Sequence, residues 1–228
     1  MAQPRIVEVR KNILEKNDQR AHDLRSSFAQ HGVLAVNFVS GPGAGKTELL
    51  RRTLAELGKT QRCAAVTGDL ATANDAARLA QSGAPARQIL TGTMCHLEAD
   101  MVAEAIADWS LADLDYLLIE NVGNLVCPGD FDLGEDLRVL LLSTTEGEDK
   151  PLKYPTLINT ADVVIINKLD LAAAVECDVA LLEGNIRQMR PGAGIFKVSA
   201  KTGAGFEPWL TYLRAQWQAK GQAKQAGG

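Results

Sequence analysis

Eight consecutive residues, Ser40-Gly41-Pro42-Gly43-Ala44-Gly45-Lys46-Thr47, have the types and spacing of a phosphate-binding loop. Glycines let successive backbone N–H groups turn toward phosphate oxygens, and the positive end of a following helix adds to that field. A lysine at the place of Lys46 reaches β- and γ-phosphates, and a hydroxyl at the place of Thr47 holds Mg²⁺. Gly41, Gly43, Ala44, Gly45, Lys46, Thr47 and Glu48 are therefore the candidate phosphate-binding residues. Ser40 stands where the G-x-x-x-x-G-K-[ST] pattern has its first glycine, which makes the loop a variant. Gly41 and Gly43 remain to supply its turn.

A second stretch, Asn167-Lys168-Leu169-Asp170, matches the N-K-x-D motif of guanine recognition. The Asp170 carboxylate can accept from guanine N1–H and from the exocyclic amino group. Adenine offers neither donor there and would leave a charge unpaired, at ~1–3 kcal/mol or more. The Lys168 stem can cover the base plane. Ser199-Ala200-Lys201 follows downstream, matching the S-A-K motif whose backbone reads guanine O6. Taken alone, the first tetrapeptide also fits a turn with a helix cap. In this order, and behind a phosphate loop, the two motifs favour GTP and GDP over ATP.

Hydrolysis needs a metal and a positioned water. Glu120-Asn121-Val122-Gly123 closes an apolar run where many GTPases have D-x-x-G. Glu120 can hold Mg²⁺ directly or through water, and Gly123 can turn its N–H to the γ-phosphate. Asp69 is the other candidate for Mg²⁺ or for the water, so Lys46, Asp69 and Glu120 form the candidate catalytic set, with Thr47 as a further Mg²⁺ ligand. Asp75 reads as a helix-start charge. No glutamine is placed to hold the water, so turnover is expected to be slow.

A soft-ligand set lies nearby. Cys95 and His96 are adjacent, and Cys127 follows Gly123 by four residues. Thiolate, imidazole and thiolate suit Zn²⁺ or Ni²⁺. Such residues in loops are often buried or idle. Here both loops follow strands near one sheet edge, and a two-fold dimer would complete the coordination of a three-ligand site. Cys63 and Cys177 read as structural, His22 and His31 as surface residues.

The elements that must place these groups follow from periodicity. Continuous apolar runs near 33–39, 62–66, 88–90, 115–120, 137–142, 161–166 and 195–198 read as strands. Helices are expected over 9–29, from the phosphate loop to 57, then 75–80, 97–109, 175–189 and 206–218, with residues 1–10 frayed and 146–154 a polar loop. Strands apolar on both faces, separated by helices, argue an α/β P-loop NTPase fold: a mostly parallel sheet with helices on both faces. The expected organisation is an N-terminal helix over 1–32 packing on or extending a GTPase (G) domain at 33–218, with a disordered tail at 219–228. Ligands of such sheets sit at the carboxyl ends of the strands.

Composition bounds the rest. The 228 residues are 46% hydrophobic and 23% charged, an ordinary globular balance. A net charge of −4 argues against nucleic acid or an anionic membrane as the main partner. No apolar run approaches the length of a membrane span, the first ten residues do not read as a secretory signal, and the four cysteines lack a disulfide spacing. A cytoplasmic location is expected.

The chain resembles the HypB family, the GTPases of hydrogenase nickel incorporation. The resemblance rests on residues 40–47, Gly68-Asp69-Leu70-Ala71-Thr72, residues 91–97, Glu120-Asn121-Val122-Gly123-Asn124-Leu125-Val126-Cys127-Pro128, and residues 167–170 and 199–201. It implies a P-loop GTPase of the signal-recognition-particle/MinD (SIMIBI) class, and a GTP- or metal-dependent homodimer in which Cys95, His96 and Cys127 bind nickel or zinc at the interface. The implied partners are a HypA-type metallochaperone and the precursor of a [NiFe]-hydrogenase large subunit. Many members begin with C-x-x-C-G-C or a histidine-rich stretch; Met1-Ala2-Gln3-Pro4-Arg5 has neither, so metal handling is expected to rest on the G-domain site. The urease accessory GTPase is the nearest rival, but its metal site resembles a Cys-Pro-His triplet, whereas here Cys95-His96 and Cys127-Pro128 are separate. A regulatory GTPase with incidental cysteines would also carry the nucleotide motifs. A nucleotide-independent metal-binding scaffold would not need Lys46, Thr47 and Asp170, which speak against it.

Overall fold

The computed structural model describes residues 3–72 and 74–226, and side chains from residue 12 to 224 apart from 73 and 223. The β-strands are β1 (Leu34–Ser40), β2 (Cys63–Asp69), β3 (Ala86–Leu90), β4 (Tyr116–Glu120), β5 (Leu137–Ser143), β6 (Val163–Asn167) and β7 (Gly194–Lys197). They form one sheet in the order β3-β2-β4-β1-β5-β6-β7. Every ladder in it is parallel. The helices are α1 (Gln3–His31), α2 (Lys46–Leu57), α3 (Asn74–Ala80), α4 (Ala99–Ala105), α5 (Lys150–Lys153), α6 (Pro155–Thr160), α7 (Val179–Met189) and α8 (Phe206–Ala226).

Alternate residues of each strand feed opposite layers, as the pleat requires. Val36 and Phe38 of β1 pack with Leu50 and Leu54 of α2 and Trp209 and Leu213 of α8. On the other face, Ala35 joins Ala21 and Phe28 of α1 and Val102 of α4. Further along that face, Val39 joins Leu157, Ile166 and Leu182. The expected doubly covered parallel sheet is therefore present. β1 sits between β4 and β5, so the loops after β1 and β4 open side by side at the carboxyl edge.

Several boundaries differ from periodicity. The helix expected over 9–29 runs Gln3–His31, with Pro4 in a first turn where a missing N–H is no loss. The helix expected from Leu97 begins only at Ala99, because Glu98 before it is extended (φ −111°, ψ 156°), with the Leu97 N–H held by the Asn121 side chain. Asp178 caps α7 by accepting from the N–H groups of Ala180 and Leu181, so that helix starts after residue 175. Within the stretch expected as a polar loop, α5 forms, followed directly by α6. The disordered tail expected from 219 is helical to Ala226; Ala, Gln and Lys are good helix formers, and Lys220 Nζ anchors it to Asp136 at 2.6 Å. Residues 1–2 of the expected frayed start and 227–228 of the tail lie outside the described residues. No helix among the described residues is long and apolar enough to cross a membrane.

Candidate functional site

The phosphate loop lies between the end of β1 and α2, bounding a cleft of about 530 Å³ whose wall also includes Asp69, Asp75, Arg78, Glu120 and Gly123. Gly45 adopts φ 98°, and a Cβ there would stand 2.6 Å from Asn167 Nδ2, so only glycine fits. Lys46 is buried, and burial pulls its pKa down against the opposing pull of Glu120. Its Nζ donates to Ser40 Oγ at 3.1 Å. The residue in the first-glycine position thus anchors the loop lysine through its side chain, which the pattern alone does not show.

Glu120 ends β4, 3% exposed, and burial pushes its pKa up. Its carboxylate accepts from Thr47 Oγ1 at 2.7 Å and from Thr67 Oγ1 at 3.3 Å. Thr47 Oγ1 also lies 3.2 Å from Asp75 Oδ1. Asp75, read from sequence as a helix-start charge, therefore joins Thr47 and Glu120 at one point. Asp69 lines the same cleft, its Oδ1 accepting from the N–H groups of Ala71 and Thr72, which hold its pKa down. Arg78, paired with Glu48 at 3.6 Å, is a cation of this cleft that no motif marks.

The base-recognition residues converge on the same loop. Asn167 is buried with both ends of its carboxamide engaged: Nδ2 donates to Ala44 O at 2.9 Å, and Oδ1 accepts from Ala200 N at 3.0 Å. It is a strut joining the phosphate loop to Ser199-Ala200-Lys201. Lys168 has φ 62°, and its Nζ donates to Gly43 O at 2.6 Å, which stretches its stem along the loop. Asp170 Oδ1 accepts from Ser199 Oγ at 2.5 Å, fixing the carboxylate. Arg52 binds the carbonyls of Ala200 and Lys201.

Cys95, His96 and Cys127 also come together, with two sulfurs and a ring nitrogen within 4.8 Å of one another. Cys95 Sγ is 2.7 Å from Cys127 Sγ and 3.9 Å from His96 Nδ1. The hydrogen bond shared with Cys95 raises the Cys127 pKa, and burial lowers that of His96. His96 Nε2 is buried with no hydrogen-bond partner; the Glu98 carboxylate stands 3.7 Å away. Two thiols and an imidazole nitrogen this close together are a donor set suited to a borderline ion such as Ni²⁺ or Zn²⁺. Phe131 stacks on the His96 ring at 3.8 Å, a contact that no sequence pattern marks. Cys63 is buried away from this set and its thiol is pushed up to about 12. Cys177 is half-buried, His22 exposed, and His31 Nδ1 is 2.8 Å from Ser27 O at the end of α1.

The two halves of the site share one loop. Asn121, next to Glu120, accepts from Leu97 N at 3.0 Å, directly after His96. Asn124 donates to Cys95 O at 3.3 Å. Residues 120–127 thus begin at the phosphate cleft and end at the thiol cluster.

Comparison with known proteins shows the family. The family profile described as CobW/HypB/UreG, nucleotide-binding domain, matches residues 35–197. The hydrogenase maturation factor HypB of Rhizobium leguminosarum bv. viciae is 47% identical over 213 residues, 93% of this chain and 71% of the relative. The chain belongs to the HypB family. Crystal structures of HypB agree with the fold: that from Archaeoglobus fulgidus superposes with a TM-score of 0.83 at 40% identity, covering 89% of this chain and 99% of that one. HypB from Helicobacter pylori in complex with nickel gives 0.84 at 40% identity, covering 90% and 96%.

The geometry of the four cysteines predicts a labelling pattern. At pH 8 a thiol with a pKa of about 12 is roughly one part in ten thousand thiolate, so iodoacetamide should leave Cys63 unlabelled in the folded protein. Cys95 and Cys127 should be labelled, and Ni²⁺ should protect both. Peptide mass spectrometry with and without Ni²⁺ reads the result; labelling of Cys95 and Cys127 indifferent to Ni²⁺ contradicts the ligand assignment.

Proposed function

We propose that this protein is a slow GTPase switch that assists nickel insertion into the large subunit of a [NiFe] hydrogenase. The observation that carries the reading is the shared loop: Glu120, bonded to Thr47 at the phosphate cleft, and Cys127, at the thiol cluster, are the two ends of one segment.

The chemistry follows from the residues. The backbone of residues 41–47 and the Lys46 ammonium hold the β- and γ-phosphates. Thr47 and Glu120 would hold Mg²⁺, which would supply neutralisation of the developing phosphate charge. Phosphate and Mg²⁺ supply partners for Lys46 and Glu120, whose burial otherwise disfavours their charges. The carboxylate of Asp69, in the same cleft, orients the attacking water. Water attacks the γ-phosphorus, the bond to the β–γ bridging oxygen breaks, and GDP and inorganic phosphate leave. Asp170 reads guanine while Asn167 holds the base loop against the phosphate loop.

Nickel is cargo here. Cys95, His96 and Cys127 hold it, zinc being the competing ion, and a second copy of the chain completes its coordination. Val126, beside Cys127, is 62% exposed, and this apolar surface next to a ligand supports the dimer reading. GTP orders residues 120–127 and so changes the position of Cys127 relative to Cys95 and His96. A HypA-type metallochaperone and the hydrogenase precursor are the proposed partners, in the cytoplasm, where thiols stay reduced.

The test is sedimentation of the purified protein with GDP and with a non-hydrolysable GTP analogue, each with and without Ni²⁺, repeated on Cys95→Ala. The expected result is a dimer favoured by the analogue and Ni²⁺ and weakened in the variant. An oligomeric state indifferent to both ligands removes the shared metal site from the account.

A further inference from the structure

Asn17 of α1 belongs to neither the phosphate cleft nor the thiol cluster, yet its side chain bridges the two segments that carry the cluster. It is 6% exposed. Its Oδ1 accepts from Ala99 N at 2.9 Å, three residues after His96. Its Nδ2 donates to Asp132 O at 2.8 Å, five residues after Cys127 and beside the Phe131 that stacks on His96. Further along the same helix, Arg25 Nη2 contacts Asp132 Oδ1 at 2.6 Å and Oδ2 at 2.8 Å.

We propose that Asn17 is a positioning residue of the soft-metal site, setting the distance between the Cys95-His96 turn and the Cys127 loop. The proposal rests on the reading of Cys95, His96 and Cys127 as metal ligands. The surroundings favour positioning over simple docking of the helix. Ala21, Phe28 and Val102 already pack α1 on the sheet layer beneath it. An apolar side chain would extend that packing, whereas a buried amide with both ends engaged fixes the relative placement of its two partners. Both partners are backbone groups, so the constraint acts on the path of the loops. Outer groups that orient metal ligands in this way typically alter affinity by about 10–100-fold when removed.

The experiment titrates Ni²⁺, and Co²⁺ followed by its thiolate absorption, into the full-length protein and into Asn17→Ala, Asn17→Asp, Phe28→Leu and Cys127→Ser. GDP affinity is measured on each. Asn17→Asp keeps the acceptor for Ala99 N–H and removes the donor to Asp132 O, so it reports even if Asn17→Ala does not fold. Phe28→Leu loosens α1 packing without touching either bridged group. The expected result is a Ni²⁺ Kd raised about tenfold by each Asn17 variant, an altered Co²⁺ spectrum, and GDP affinity within about twofold of the parent. Phe28→Leu should leave Ni²⁺ affinity unchanged. The proposal is overturned if Asn17 variants bind Ni²⁺ as the parent does while Cys127→Ser does not. It is also overturned if Phe28→Leu weakens Ni²⁺ as much, or if GDP affinity falls in parallel. If Cys127→Ser itself binds Ni²⁺ normally, the ligand assignment fails and the Asn17 role falls with it.

Discussion

Asp170→Asn should lower GTP affinity about a thousandfold, ~4 kcal/mol, and make xanthosine triphosphate the better ligand. In the proposed reading the carboxylate accepts from two guanine donors, N1–H and the C2 amino group. An asparagine amide would set its own N–H₂ against that amino group, leaving two donors facing each other. Xanthine carries a carbonyl at C2, so the amide N–H₂ gains an acceptor while its oxygen still accepts from N1–H. The variant should fold, because Ser199 Oγ, now 2.5 Å from Asp170 Oδ1, can donate equally to an amide oxygen. Displacement of a fluorescent GDP by GTP and by xanthosine triphosphate measures both halves of the prediction. Retained GTP affinity with no gain for the xanthine nucleotide would mean that Asp170 does not face the base.

The second large effect is expected from Lys46→Ala, which should reduce GTP hydrolysis by at least about a hundredfold. The ammonium is held in the cleft by Ser40 Oγ and partly balances Glu120. Without it, γ-phosphate charge in the transition state loses the cation that the phosphate loop supplies. A pH effect follows with a definite sign. Burial already raises the Glu120 pKa, and Lys46 opposes that rise. Removing Lys46 lets the pKa rise further, so Glu120 takes up its proton at higher pH. Mg²⁺ needs the carboxylate form, and its binding should therefore be lost at a higher pH in the variant than in the parent as pH falls. Mg²⁺ titration of the GDP complex across about pH 5 to 8 measures the displacement. Unchanged turnover in Lys46→Ala would remove this lysine from the mechanism.

Groups whose chemistry depends on local spacing were legible in the sequence. The phosphate loop, Asn167 to Asp170 and Ser199 to Lys201 each lie in one short stretch after a strand, and their placement at one edge follows from a parallel sheet. Cys95, His96 and Cys127 were identifiable because thiols and imidazoles are rare and suited to soft ions. Contacts between distant segments were not legible. Phe131 is one aromatic among others until it stacks on His96. Asp75 resembles an ordinary helix-start charge until the fold brings it to Thr47. Leu97 shares a four-residue spacing with Met101, Ala105 and Trp109, yet it packs into the core, where a Cβ on Gly68 would meet its Cδ2 at 2.7 Å. Its N–H serves Asn121, so tertiary structure rather than helical period decides its place.

The shared loop is the centre of the account, and Ni²⁺ affinity in two nucleotide states tests it most directly. Isothermal titration of Ni²⁺ into the Mg²⁺–GDP complex and into the complex with a non-hydrolysable GTP analogue compares the same thiol cluster with residues 120–127 in different surroundings. The account predicts affinities that differ by about fivefold or more, with Ni²⁺ changing nucleotide affinity by the same factor, as linkage requires. Equal Ni²⁺ affinity in the two states would contradict the coupling and leave a GTPase and a metal site that merely share a loop.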